Sequence, residues 1–354
     1  MPGSDGEAAQ KLKSRLAAIT LRRVGLRYVT TAALTIRRRR IGEAFTFVSA
    51  TGRTIRDKIT RARLKRLAVP PAYQDVLYAR DPRAHIQAIG RDAAGRLQYR
   101  YHPDWEKVRE RRKAKRLQRL VAALPRIRRA VNKHLACAEP TRELALAAVI
   151  ELVSCSAIRP GSESYAKQNG TRGAATLLKS NVAVNGTKIA LKFRAKGGKA
   201  VEKDFHCPRV ARAVDVLRAV PGRRMFQYRG EDGAPRIVTA VEVNAFLREI
   251  AGVKISLKDF RTLCASAAAL EALAHIAPAA SERGRRRQVK EAVAAVSEQL
   301  ANTPTICRKS YVHQTVVTAF ENGRLEKFSE TLRRRRSPAH REQLLAQVVA
   351  TMAA

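Results

Sequence analysis

The periodicity of the chain changes at Trp105, and that change restricts the fold more than any other feature. Before it, short runs of β type are separated by turn signals. Ala44-Phe45-Thr46-Phe47-Val48 is a strand candidate ended by Thr51-Gly52. Residues 85–89 and 97–101 read as two strands of a hairpin, with Gly90 and Gly95 in the segment between them. A short helix is expected over about 55–67, before Pro70-Pro71 breaks the chain. After Trp105 the pattern is helical. Residues 106–136 are basic with helical spacing, and 141–156 (TRELALAAVIELVSCS) are apolar enough for a buried helix. Further helical patterns cover about 207–219, 239–251, 260–276, 282–301, 305–321 and 340–352. One β-type island, 182–193, interrupts them, and its Asn185-Gly186 pair signals a type I′ hairpin. The expected fold class is α+β. A flexible tail (1–20) precedes a small β-rich N-terminal domain (21–106) and a larger, mostly α-helical domain (107–354) with a short β-hairpin.

Charge narrows the partner. The 354 residues include 70 Lys plus Arg against 30 Asp plus Glu, a formal net charge of +40. A hydrophobic share of 45% still leaves enough apolar residues for a sizeable core. Such a surface repels itself, which argues against a free-standing metabolic enzyme and for a polyanion: DNA, RNA or an anionic membrane surface. Arg outnumbers Lys by 50 to 20. The guanidinium fork holds phosphate bidentately, although the abundance of Ala beside Arg also fits a GC-rich genome. The four-Arg runs at 37–40 and 333–336 read as solvated, phosphate-attracting stretches. No stretch is long and apolar enough for a transmembrane helix, and the first 20 residues lack the apolar centre of a signal peptide. The cysteines at 137, 155, 207, 264 and 307 form no C-x-x-C pair and read as plain buried thiols in a reducing compartment, without a disulfide framework or a zinc site.

Familiar cofactor motifs are missing: no Walker A loop, no G-x-G-x-x-G and no H-E-x-x-H occurs. No cofactor or metal is therefore expected. Four segments carry the remaining chemistry. Ala157-Ile158-Arg159-Pro160-Gly161-Ser162-Glu163-Ser164-Tyr165 follows the apolar helix. Leu191-Lys192-Phe193-Arg194-Ala195-Lys196-Gly197-Gly198-Lys199 closes the hairpin. Ser256-Leu257-Lys258-Asp259-Phe260-Arg261-Thr262 opens an Ala-rich helix, with Asp259 the expected N-cap. Ala301-Asn302-Thr303-Pro304-Thr305-Ile306-Cys307-Arg308-Lys309-Ser310-Tyr311 ends on a tyrosine in a basic flank.

Together these segments resemble the catalytic constellation of type IB DNA topoisomerases, in the short poxvirus-like class also found in bacteria. That family has an Arg in R-x-G-x-E after an apolar helix, a Lys in a hairpin turn and an Arg in K-D-[LF]-R-T. A His or Asn stands nine residues before a nucleophilic Tyr. Here the gaps are 37 residues from Arg159 to Lys196, 65 to Arg261, 41 to Asn302 and 9 to Tyr311. Farther upstream, His85-Ile86-Gln87-Ala88 and Gln98-Tyr99-Arg100-Tyr101-His102-Pro103 resemble the family's DNA-reading sheet, so the likeness covers roughly residues 21 to 330.

The resemblance implies a catalytic set of Arg159, Lys196, Arg261, Asn302 and Tyr311. In it Tyr311 attacks the phosphodiester, Lys196 protonates the leaving 5′-oxygen, and Arg159, Arg261 and Asn302 hold the nonbridging oxygens. It also implies DNA contacts by Gln98, Tyr99, Tyr101, Tyr165 and Lys258. The partner would be double-stranded DNA, held in a clamp by a monomer of the bacterial nucleoid, with no membrane and no cofactor. Lys192 and Lys199 are nearby rivals to Lys196. Asn302 stands where the viral enzymes have His, Pro160 where the family has an apolar or aromatic residue, and Gly173-Ala174-Ala175-Thr176-Leu177 departs from Gly-Leu-Thr-Thr-Leu. Tyrosine recombinases share the Arg-Lys-Arg-Tyr chemistry but usually carry His where Lys258 stands. A non-enzymatic nucleoid protein would account for the charge but not for the ordered motifs.

Overall fold

Five short segments in the first hundred residues pair into one antiparallel sheet. They are β1 (Ile36–Ile41), β2 (Ala44–Val48), β3 (Gln74–Tyr78), β4 (Ile86–Arg91) and β5 (Leu97–Tyr101), in the order β2-β1-β3-β4-β5. Strand β1 contains the Arg run at 37–40, of which Arg37, Arg39 and Arg40 are exposed to solvent as expected. Arg38 is half-buried. Its guanidinium donates to the carbonyls of Val69, Pro70, Pro71 and Tyr73, which ties the Pro70-Pro71 turn to the sheet. Helix α1 (Lys58–Arg66) starts at an Asp57 cap and lays Leu64 against Ile36, Phe47, Val76, Tyr78 and Ala88.

The computed structural model describes residues 21–351 apart from 23, 335 and 336. The tail at 1–20 and the last two arginines of the run at 333–336 lie outside the described residues. Contacts divide the chain into Met1–Arg112 and Lys113–Ala354. The division falls inside helix α2 (Pro103–Leu135), six residues past the junction expected at 106. None of the described helices is long and apolar enough to cross a membrane.

The second unit is organised around α3 (Arg142–Ser156), which is buried on nearly all sides. A helix without a polar face can only sit in the middle of others. It packs against α5 (Pro208–Arg218), α6 (Ala240–Ala251) and α7 (Leu257–Ala274). Helix α7 is a second hub, touching α8 (Glu282–Gln299), α10 (Gln314–Glu321), α11 (Glu326–Arg334) and α12 (Pro338–Thr351). Short α4 (Glu163–Asn169) and α9 (Pro304–Ser310) complete the helices that matter here. The expected hairpin is present as β6 (Val182–Asn185) and β7 (Lys188–Arg194), with Gly186 at φ +56° in its turn. A third strand, β8 (Ala200–His206), extends it into a meander that the hydropathy pattern hid. Charged residues on its exposed face pair across the sheet, as in Lys192–Glu202 at 2.7 Å and Lys188–Asp204 at 2.8 Å.

Two local expectations are corrected. Helix α7 begins three residues earlier than Asp259 implies, and its N-cap is Ser256. Asp259 sits in the first turn, where its carboxylate accepts from the Ser256 amide at 2.8 Å and hydroxyl at 2.9 Å. This is a capping box, in which the acidic residue reaches back to the cap. The helix expected over 305–321 is two helices, α9 and α10, separated by a turn at Tyr311. Replacing Asp259 by Ala removes the acceptor of two donors, with an expected cost of about 1 kcal/mol. A lowered urea midpoint is the expected result, and an unchanged midpoint would show that the box contributes nothing.

Candidate active site

The left-handed residue that ends α3, Ala157 (φ 53°), turns the chain into the loop bearing Arg159. Two backbone hydrogen bonds hold that loop from beneath. Ala174 N–H donates to the Arg159 carbonyl and Ala175 N–H to the Pro160 carbonyl, both at 2.8 Å. A Cβ on Gly173 would lie 2.5 Å from both the Arg159 oxygen and the Gly161 nitrogen, so only glycine permits this approach. The run 173–177, a departure at the level of sequence, is thus the bed of the Arg159 loop.

Arg261 is 1% exposed in the second turn of α7. Its guanidinium donates to the carbonyls of Ala157 and Leu300, the latter at 3.1 Å, and lies 4.8 Å from the centre of the Tyr311 ring. Burial pulls its pKa below the usual guanidinium range; the neighbouring Tyr311 opposes that pull and the Arg159 charge adds to it. Arg159 donates to the Asn302 Oδ1 and, at 3.4 Å, to the Ala301 carbonyl. With its oxygen so engaged, Asn302 holds a buried Nδ2 donor that has no partner. Arg261 Nε is in the same condition. Two buried donors without acceptors, side by side with two cations, mark a place where an oxyanion is wanted.

Tyr311 is buried at the break between α9 and α10. Ser266, one and a half turns beyond Arg261 on α7, fixes that break. Its hydroxyl donates to the Tyr311 carbonyl and accepts from the His313 amide, both at 3.0 Å. Lys113 Nζ donates to the next carbonyl, that of Val312, at 2.9 Å. Cation and phenol are therefore mounted on one helix and one turn that share a serine.

Lys196 occupies the β7–β8 turn, where Gly197 and Gly198 take φ values of 79° and 77°. It is exposed, with its Nζ 5.4 Å from the centre of the Tyr165 ring. Its rivals separate from it: Lys192 pairs with Glu202, and Lys199 lines a different cleft. The cleft of about 290 Å³ beside Tyr311 is lined by Arg159, Arg172, Lys196, Lys258 and Arg261, together with Tyr165. Among the described residues no carboxylate lines it. A second cleft, of about 530 Å³, shares Arg159 and Arg261 and adds Asn302 and Lys203. The structure thus brings four of the five expected catalytic residues into one cleft and joins the fifth, Asn302, to them through Arg159.

The spacing of motifs did not reveal Arg172 or Lys203. Lys203 is half-buried on β8 and donates to the carbonyls of Ser156 and, at 2.7 Å, Gln299. It closes the ends of α3 and α8, the elements that lead to Arg159 and Asn302. Its only sequence signal is a charge in a strand no pattern indicated.

The expected DNA-contacting residues of the first unit lie on β5, an edge strand. Tyr99 and Tyr101 stack with ring centres 5.9 Å apart, and Tyr101 continues onto Trp105 at 5.7 Å. Both tyrosines are exposed. Gln98 is held at 2.9 Å by the Asp92 carboxylate, so its amide nitrogen is already engaged.

Residues 102–337 match the family model of the eukaryotic DNA topoisomerase I catalytic core, and residues 44–92 match that of the bacterial DNA topoisomerase IB N-terminal domain. A DNA topoisomerase 1B of Acanthamoeba polyphaga mimivirus is 30% identical over 271 residues, covering 73% of this chain and 80% of that protein.

Lys203→Met would leave the Ser156 and Gln299 carbonyls without their donor. A charged hydrogen-bond set of this kind is worth about 2 kcal/mol, and a fall in the chemical-denaturation midpoint of that order is expected. A variant as stable as the parent would show that the two helix ends hold without Lys203.

Proposed function

The chain belongs to the type IB DNA topoisomerases, and on that footing we propose that it relaxes supercoiled DNA by breaking and rejoining one strand through Tyr311. The observation that carries this reading is the Tyr311 cleft itself: five cations and no carboxylate around a phenol, beside two buried donors that lack acceptors. That set complements a phosphodiester gaining negative charge as a fifth oxygen approaches phosphorus.

In this mechanism the Tyr311 oxygen attacks phosphorus and the phenol gives up its proton. Arg159 and Arg261 take the nonbridging oxygens in fork geometry. Asn302, its oxygen turned to Arg159, offers its free Nδ2 donor to the same oxygens. Asn carries no charge, so this contact is a hydrogen bond alone, weaker than one from a cationic His. Lys196, on a turn rich in glycine, protonates the departing 5′-oxygen. The 3′-phosphotyrosyl ester keeps the energy of the broken bond, and return of the 5′-hydroxyl reseals the strand. No step consumes ATP, and cations of the chain occupy the positions that a metal would otherwise serve. Lys258 and Tyr165, which line the same cleft, contact the flanking DNA; Gln98, Tyr99 and Tyr101 do so from the β5 edge. All five catalytic groups come from one unit of one chain, so a monomer suffices. Acting on duplex DNA places it at the nucleoid.

Purified protein is expected to relax plasmid in EDTA without ATP, and Tyr311→Phe to form no detergent-trapped protein–DNA adduct while still binding DNA. Supercoiled plasmid left intact by the parent protein across a range of salt would refute the reading. Lys196→Ala is expected to slow cleavage by about 10²–10⁴-fold. A substrate with sulfur at the leaving 5′ position needs no proton and should recover most of that loss; equal slowing on both substrates would remove Lys196 from the role of acid.

A further inference from the structure

Two cysteines that the chemistry above does not use have sulfurs 2.9 Å apart, although 52 residues separate them in the chain. Cys155 is the last residue but one of α3 and is exposed; Cys207 is buried at the N-cap of α5. The expectation that every cysteine is a plain buried thiol therefore fails at Cys155. Glu151 Oε1 lies 3.8 Å from one sulfur and 3.9 Å from the other, and Arg209 grips the same oxygen, with Nε at 2.9 Å.

The surroundings favour one proton shared by two sulfurs. A hydrogen bond from Cys155 holds the Cys207 pKa below its ordinary value against burial, helped by the Val210 amide in the first turn of α5 and by Arg209. The same bond, then burial and the Glu151 charge, push Cys155 up. Cys207 is thus the more acidic sulfur and Cys155 the donor, and the thiolate is the form in which such a pair reacts. Two sulfurs and a carboxylate could also ligate a metal, but the carboxylate oxygen that faces them is already taken by Arg209.

We propose that Cys155 and Cys207 form a redox-active dithiol, closed to a disulfide by hydrogen peroxide, that restrains the Arg159 loop. One sulfur, as thiolate, attacks a peroxide oxygen; the O–O bond breaks, a sulfenic acid forms and hydroxide leaves. The second sulfur then displaces the sulfenic oxygen, forming the S–S bond, and the pair's remaining proton leaves with that oxygen as water, so the products are one water and the hydroxide, which takes a proton from solvent. The two sulfurs lose two electrons and the peroxide gains them. Bond formation draws the sulfurs from 2.9 Å to about 2.05 Å. The residues that follow Cys155 carry the site: Ser156 accepts from Lys203, Ala157 from Arg261, and Arg159 comes next but one. The disulfide itself is independent of the proposed function; its effect on DNA cleavage rests on it.

The test uses the full chain. Reduced protein is treated with hydrogen peroxide in EDTA, digested without reductant and read by mass spectrometry. A peptide pair joined through Cys155 and Cys207, lighter by two hydrogens and released by dithiothreitol, is expected. Plasmid relaxation should fall roughly tenfold on oxidation, since sub-ångström displacement of positioned groups costs rate on that scale, and return on reduction. Cys155→Ser and Cys207→Ser should each relax plasmid normally and resist peroxide. Free thiols at both positions after treatment, linkage to Cys137, Cys264 or Cys307 instead, or bound zinc lost in Cys155→Ser would overturn the dithiol. A disulfide that leaves relaxation unchanged, or serine variants as peroxide-sensitive as the parent, would overturn its hold on the Arg159 loop. A reduced protein that never relaxes plasmid would count against the function alone, with the peptide measurement still deciding the dithiol.

Discussion

A guanidinium sealed inside a protein without a carboxylate is costly, and the second unit is arranged around meeting that cost at Arg261. Its donors go to the carbonyls of Ala157 and Leu300, the last residues before the Arg159 loop and the Asn302 loop. Its face lies against the Tyr311 ring. One cation therefore fixes the ends of two helices and the position of a phenol. Carbonyls and a ring engage its terminal nitrogens and its face but leave Nε and the charge unanswered, and Arg159 nearby makes the imbalance worse. In the proposed reaction the DNA phosphate supplies the missing anion. The site is then strained toward its substrate in the electrostatic sense, before any substrate arrives.

The same logic separates the +40 charge into parts with different duties. Some cations are spent on the fold: Arg38 on the carbonyls around Pro70-Pro71, Lys203 on two helix ends, Lys192 and Lys188 on cross-strand pairs. A small group lines the Tyr311 cleft, where no acidic side chain offsets it. The remainder supplies the long-range attraction to DNA that weakens with salt. A count of charges cannot assign a residue to one of these classes, because the difference lies in which acceptors surround it.

How much of this was legible follows from the range of the signal. The strand at 44–48 and the buried helix at 142–156 were readable because each is specified by its own alternation or its own lack of a polar face. The hidden strand β8, Ala200–His206, carries Glu202, Lys203, Asp204 and His206, which look like loop residues until their cross-strand partners are known. Asp259 suits a cap by its type; Ser256, equally suited, wins because the first turn of α7 extends over Leu257, which is buried. The helix break at Tyr311 depends on a Ser266 hydroxyl 45 residues away.

By itself the sequence determined the α+β class, the preference for a polyanion and the order of motifs through which the chain resembles the type IB topoisomerases. These rest on local periodicity, net charge and residue types at recurring spacing, all of which are properties of the chain before it folds. Only the tertiary structure decided which lysine enters the cleft, which way the Asn302 amide turns, that Lys203 and Ser266 hold the parts in place, and that Cys155 meets Cys207. Those depend on contacts between residues tens to hundreds of positions apart, and contact across such distances is set by packing, which no local pattern encodes.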